Sequence, residues 1–183
     1  MSVIRTLPYV AAGLLLGAAM HVAIVLLVPL FAVNDAWARL SALGPEGSFH
    51  LLPALTPGMA GVQTRDPRFL EAVCRFDLGS GPVRVRAALP GTFWSVGLID
   101  RRGRNVYSFN DSSSEESRLD LDIMAPVDFA ALGPNPPANL QTAIIAPFAD
   151  NTGIAVLRVF VRDEALLPAA NAALAAAACN AAS

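Results

Sequence analysis

Three arginines crowd into six residues, "DRRGRN" from Asp100 to Asn105, between two runs rich in aromatic and β-branched residues. A guanidinium is a planar fork that grips carboxylate or phosphate through two parallel hydrogen bonds, so Arg101, Arg102 and Arg104 are the candidate anion contacts; a solvated turn is the alternative. Nucleic acid is not an expected partner, because the formal net charge is -2 and no second basic stretch supplies the footprint that phosphate backbones require. Directly afterwards, "NDSSSEES" offers oxygen donors at Asn110, Asp111, Glu115 and Glu116. Their spacing lacks the alternating acids and the glycine of a calcium loop, so the segment reads as a polar loop and no metal is assigned. His50 stands in a Gly/Pro-rich region with no cysteine or serine partner at motif spacing. No catalytic residue and no cofactor are assigned, and the chain is expected not to be an enzyme.

The arginines need a scaffold. Asp100 at the first position and Gly103 at the last fit a type I turn whose glycine takes the left-handed conformation of a bulged hairpin. Setting Asp100 opposite Arg104 predicts Leu98 facing Val106, Gly97 facing Tyr107, Ser95 facing Phe109 and Trp94 facing Asn110. Gly97 would then lie beneath the Tyr107 ring.

Other elements follow from patterning. "DPRFLEAVCRFDL" places Asp66 as an N-cap, Pro67 at the first helical position and Phe69, Leu70, Val73 and Cys74 at helical spacing, predicting a helix with Cys74 toward the core. In "GPVRVRAAL", Val83 and Val85 alternate with Arg84 and Arg86, predicting a strand with one buried and one wet face. "RLDLDIM" and "IAVLRVFVR" read as strands, "TAIIAPF" as a shorter one, and "APVDFAALGPNPPANLQ" as a single helical turn. The alanine-rich tail from Pro168 reads as a helix ending near Cys179. The expected fold class is α+β, a mainly antiparallel β domain with flanking helices over residues 66–183.

Ahead of it lies a different kind of segment. Between Arg5 and Asp35 there is no charge, and Tyr9 to Val33 is almost wholly apolar. That exceeds the roughly 18 apolar residues of a membrane-span candidate and is longer than a signal-peptide core of about 7 to 15 residues, so residues 1–34 are expected to be a retained transmembrane anchor. "AWA" at 36–38 keeps a cleaved signal peptide as the alternative. Arg5 before the span and Asp35 after it place the N-terminus in the cytoplasm and the rest outside. Residues 35–65, with repeated Gly and Pro, read as a connector holding one short helical turn around Asp35–Leu43. Gly13, Gly17 and His21 are spaced four apart and line one face of the span, a small-residue stripe that would pack against a second copy or a membrane-protein partner. In the exported compartment Cys74 and Cys179 are expected to bond, two buried free thiols being the alternative. The 54% hydrophobic and 15% charged composition agrees with a span plus a core. All 13 basic residues are arginine, which reads as a biased genome before any phosphate specialisation.

An apolar N-terminus with an internal histidine, "DAWARL", "VCRFDLGSGPVRV", a strand-turn-strand ending in "YSFND" and a C-terminal "AALAAAACN" together resemble short single-span membrane proteins of α-proteobacteria assigned to domain of unknown function family 1254. The resemblance implies an inner-membrane-anchored periplasmic domain with paired cysteines at Cys74 and Cys179, and carries over no catalytic residue. Two functions follow as expectations: a non-enzymatic accessory or interaction subunit of a membrane complex, or a periplasmic binding module for a small anionic or amphiphilic ligand. A hydrolase assembled from scattered residues is a third.

Overall fold

The structure is a computed structural model that describes residues 3–54, 56, 62–64, 66–114, 117–134 and 136–182, with the backbone alone for 3–5 and 29–36. Two compact units divide between Ala36 and Trp37. The first consists of helix α1 (Val3–Ser41) up to Ala36; its stretch Thr6–Val28 is apolar and long enough to cross a membrane, a test that a signal sequence also passes. None of that stretch is buried within the chain.

The second unit is α+β and mainly antiparallel, as expected. Its strands are β1 (Phe49–Leu51), β2 (Phe69–Asp77), β3 (Val83–Ala88), β4 (Trp94–Asp100), β5 (Asn105–Asn110), β6 (Arg118–Met124), β7 (Ile144–Pro147), β8 (Thr152–Phe160) and β9 (Ala178–Ala181). They form two sheets rather than one. The five-stranded sheet has the order β1-β2-β8-β4-β5 and the four-stranded sheet β7-β6-β3-β9, where only β6 and β7 run parallel. Short helix α2 (Pro126–Ala131) links β6 to β7, and α3 (Leu167–Ala175) starts with Pro168 in its first turn and turns Ala170 and Leu174 into the core.

The core lies between the sheets because both inner faces are apolar at alternate positions. Ala72, Cys74 and Phe76 of β2, Trp94, Val96 and Leu98 of β4, and Ala155, Leu157 and Val159 of β8 meet Val83, Val85 and Ala87 of β3 and Leu119, Leu121 and Ile123 of β6. Phe76 and Phe148 pack edge-on at 5.2 Å over Gly153, where an added Cβ would come within 2.5 Å of the Phe76 ring. Cys74 and Cys179 are disulfide-bonded across this core, tying β2 of one sheet to β9 of the other.

The helix expected over 66–78 is strand β2 instead. Its outward residues are also covered: Val73 joins Leu40, Leu52 and Ile154 in a second, smaller cluster with Trp37, Leu43 and Val62. A strand apolar on both faces loses its period-2 signature and mimics helical spacing. The segment expected as a connector thus supplies the second cover of the five-stranded sheet, including β1, and the helical turn foreseen at 35–43 is the end of α1. Cys179 lies on β9 beyond the tail helix, since Arg84 and Val85 pair with Asn180 and Cys179.

Candidate functional site

Register places the outward side chains of the five-stranded sheet in rows. Glu71, Arg158 and Ser95 make one row, Val73, Val156, Gly97 and Ser108 the next, and Arg75, Ile154, Ile99 and Asn105 the third. On β2 and β8 these residues are large; on β4 and β5 the middle rows hold serine and glycine. The missing side-chain volume leaves a cavity of about 500 Å³, walled by Leu52, Val62, Ile99 and Val156, with Gln63, Ser95, Asn105 and Ser108 supplying polar edges. That volume is within the range of small-molecule sites, roughly 300 to 1,000 Å³. Gly97 is open enough that a Cβ would reach nothing closer than 3.5 Å, the Asn105 side chain.

One end of the groove is charged. Arg158 Nε stands 2.6 Å from Glu71 Oε1, and the guanidinium lies 4.5 Å over the Phe69 ring. The pair is close but misaligned, so Arg158 Nε, sealed from solvent, makes no hydrogen bond.

The arginines singled out in the sequence lie elsewhere. The turn forms as expected: Gly103 N donates to the Asp100 carbonyl at 3.0 Å, Asp100 N to the Arg104 carbonyl at 2.9 Å, and Gly103 has φ +78°. Beyond Ile99, opposite Asn105, the register slips by one at Val106, so Leu98 faces Tyr107, Gly97 faces Ser108, Val96 faces Phe109 and Ser95 faces Asn110. The expected Tyr107 cover of Gly97 is replaced by Asn105, whose amide donates to the Leu98 and Tyr107 carbonyls at 3.1 and 2.7 Å and holds the bulge. Tyr107 and Phe109 turn to the core side and stack at 6.1 Å. The three guanidiniums do not converge: Arg104 pairs with buried Asp100 at 2.6 Å, Arg101 lies 4.1 Å over the Trp37 ring, and Arg102 is exposed. Burial alone would raise the Asp100 carboxyl, but donors from the Arg104 backbone and side chain and the Arg102 backbone hold it below the ordinary range.

A charged cluster occupies the outer face of the four-stranded sheet. Arg84 stands opposite Asp122 and Arg86 opposite Asp120, yet Arg84 grips Asp120 diagonally with two bonds of 2.7 Å and donates to the Asn139 carbonyl at 2.8 Å. The face expected to be wet is therefore sealed at Arg84, because the turn Ala138–Leu140 lies over it. Asp122 is fully buried; Arg84 Nε is 3.3 Å away, and neither carboxylate oxygen accepts a hydrogen bond. A neighbouring cleft of about 560 Å³ is lined by Ser113, Ser114, Arg118, Asp120, Gln141, Thr142 and Ile144. It offers one aliphatic wall, and its acid is already engaged by Arg84 and Arg86.

His50, isolated in sequence, has a serine neighbour in space: its Nε2 lies 3.1 Å from Ser48 Oγ and 2.9 Å from the Pro45 carbonyl. Both side chains converge on that carbonyl, a loop brace rather than a nucleophile poised against a base. Asn110 caps the turn Asp111–Ser113, while Glu115, Glu116 and the side chains of Arg5 and Asp35 lie outside the described residues. Gly13 and Gly17 have open space around them within the chain. Among the described residues no three His, Cys, Asp or Glu side chains group as metal ligands would.

Comparison with one solved structure supports the architecture. The crystal structure of the VPA0106 protein from Vibrio parahaemolyticus superposes with a TM-score of 0.57 at 12% identity, covering 81% of this chain and 35% of that one. A protein from Burkholderia cenocepacia aligns at a TM-score of 0.41 and 16% identity, over 60% of this chain and 31% of its own. The chain thus spans about a third of the length of the solved proteins it matches (35% and 31%). No curated protein matches it. A family described as "Protein of unknown function (DUF1254)" matches residues 47–180, a span running from the loop before β1 through both sheets to the second cysteine, and the chain belongs to that family.

Proposed function

We propose that this chain is a binding module, anchored in a bacterial inner membrane by Thr6–Val28 with its folded domain in the periplasm, that takes a small amphiphilic ligand in the groove over β4 and β8. The observation that carries this reading is the groove itself: aliphatic walls with the Arg158 guanidinium, ion-paired to Glu71, at one end. Apolar walls favour a hydrocarbon portion, while Arg158 and the amide and hydroxyl edges favour an acceptor-bearing head. The arginine that matters is then Arg158, not the hairpin trio. The reading is one of recognition, with no catalytic role assigned to a groove residue. An oxidising compartment agrees with the core disulfide.

The accessory-subunit reading rests on the unburied helix and its open Gly13 and Gly17. One preparation separates the two. The full chain purified in mild detergent should release, on denaturation, a small molecule detectable by mass spectrometry near one equivalent, and Ser95→Leu with Gly97→Val should lose it while keeping the thermal transition. Equal yields from both proteins would overturn the groove; a stoichiometric second membrane protein with no small molecule would favour the accessory role.

A further inference from the structure

We infer that the groove over β4 and β8 selects an uncharged amphiphile whose head carries neighbouring hydroxyls, and that the Glu71–Arg158 pair recognises that head. This deepens the binding reading proposed above and rests on it. The first observation is the charge of the lining. Among the described residues around the cavity, the charged ones are Glu71 and Arg158, one of each sign, so the lining is neutral as a whole. Glu71 is the more enclosed, its side chain 15% exposed against 40% for Arg158, and it stands 2.6 Å from Arg158 Nε. An anionic head that reached Arg158 would sit beside a carboxylate already in place, with no second cation among the described lining residues to balance it. Arg75, two rows along the same face, is held by Glu46 and by the Gly44 carbonyl, both at 2.9 Å. A cationic head meets the mirror-image obstacle at Arg158. Enclosing an ion is costly unless it is paired, and an unbalanced like charge is how a site rejects a wrong ligand.

The second observation is the geometry of the pair. The Arg158 guanidinium lies 4.5 Å over the Phe69 ring, which is braced by Phe160 at 5.3 Å and Phe93 at 6.3 Å, so the fork is positioned before a ligand arrives. The contact occupies Arg158 Nε and Glu71 Oε1, which leaves the two terminal nitrogens as donors and Oε2 as an acceptor on adjacent side chains. A hydroxyl both donates and accepts, so one hydroxyl of a neighbouring pair can accept from Arg158 while the other donates to Glu71. A carboxylate accepts only, and an ammonium donates only. Ser95 shares the row of Arg158, and Ser108 lies one row on; their hydroxyls serve in either sense. Leu52, Val62, Ile99 and Val156 take the hydrocarbon portion.

The test uses the full chain in phosphatidylcholine nanodiscs and radiolabelled probes that share a hexyl tail: 1-O-hexylglycerol, hexyl β-glucoside, hexanoate and hexylammonium. Equilibrium dialysis at pH 7, with the Ser95→Leu, Gly97→Val double variant as the blank for partition into the bilayer, reads the groove-dependent affinity. An uncharged probe should bind at least about tenfold tighter than either ion, the worth of one hydrogen bond to a charged group. Glu71→Gln should turn the preference to hexanoate, and Arg158→Gln to hexylammonium, each by about tenfold in a chain that keeps its thermal transition. A preference between the two uncharged probes assigns the head as glycerol-like or sugar-like, either supporting the inference. Hexanoate or hexylammonium binding tightest to the wild-type chain would overturn it and leave the groove standing, and so would an unmoved ranking in folded Glu71→Gln. If that variant loses its fold, the wild-type ranking decides. Absence of groove-dependent binding by every probe would instead overturn the groove reading, and this inference with it.

Discussion

Asp120 and Asp122 lie two residues apart on the outward face of β6 and share Arg84, yet they titrate in opposite directions. The bond from Arg84 holds Asp120 below the ordinary carboxylate range, whereas burial raises Asp122 against the pull of Arg84. Asp120 therefore contributes stability present above the unfolded value of ~3.9 and lost as pH falls through its lower folded value. Asp122 has the reverse sign: the folded state binds its proton more tightly, and stability declines as pH rises from ~3.9 through its raised folded value. Asp122→Asn, which mimics the protonated acid, should raise the melting temperature in mild detergent at pH 7 but not at pH 3. Asp120→Asn should cost roughly 2 to 4 kcal/mol at pH 7, because buried Arg84 loses its bidentate partner. A lower melting temperature for Asp122→Asn at pH 7 would show an ionised, net-favourable Asp122. Both acids were visible in "RLDLDIM" and both arginines in "VRVR", but a single sequence does not state which strands pair, so their meeting was not readable.

At the level of elements, the hairpin shows how far local chemistry reaches. Asp100 and Gly103 dictate the turn because one carboxylate caps the backbone donors of Arg102 and Arg104 and one glycine reaches φ +78°. Gly103→Val should cost about 1 to 2 kcal/mol through left-handed strain, seen as a lower melting temperature, with Gly103→Ala at the lower end. No measurable change would mean that the turn rearranges freely. Two residues further on, local chemistry fails: the bulge at Val106 exists because Tyr107 and Phe109 must both reach the core side, a demand made by the opposing sheet. Strand β2 failed for the same reason. Its apolar residues read as a helix face until Leu40 and Leu52 are seen to cover its outer side.

Across the whole molecule, the disulfide joins the two sheets over a separation of 105 residues. Closing a loop of that order constrains the unfolded chain by about 4 to 5 kcal/mol, less any strain. Cys74→Ala with Cys179→Ala should lower stability by up to that amount, read from denaturant titrations with and without reductant, and only the wild-type chain should respond to reductant. The long uncharged stretch, the α+β class, the turn at Asp100–Gly103 and the strands carrying "RLDLDIM" and "IAVLRVFVR" were all legible in the sequence, because each depends on composition or on interactions within a few residues. The groove was not, since it arises where small side chains on β4 and β5 meet large ones on β8 beside Leu52, Val62 and Gln63, a juxtaposition of segments far apart in the chain. Local periodicity reports which face of one element is apolar; what covers that face, and where the cover leaves a gap, is decided only by the packing of elements that the chain brings together from a distance.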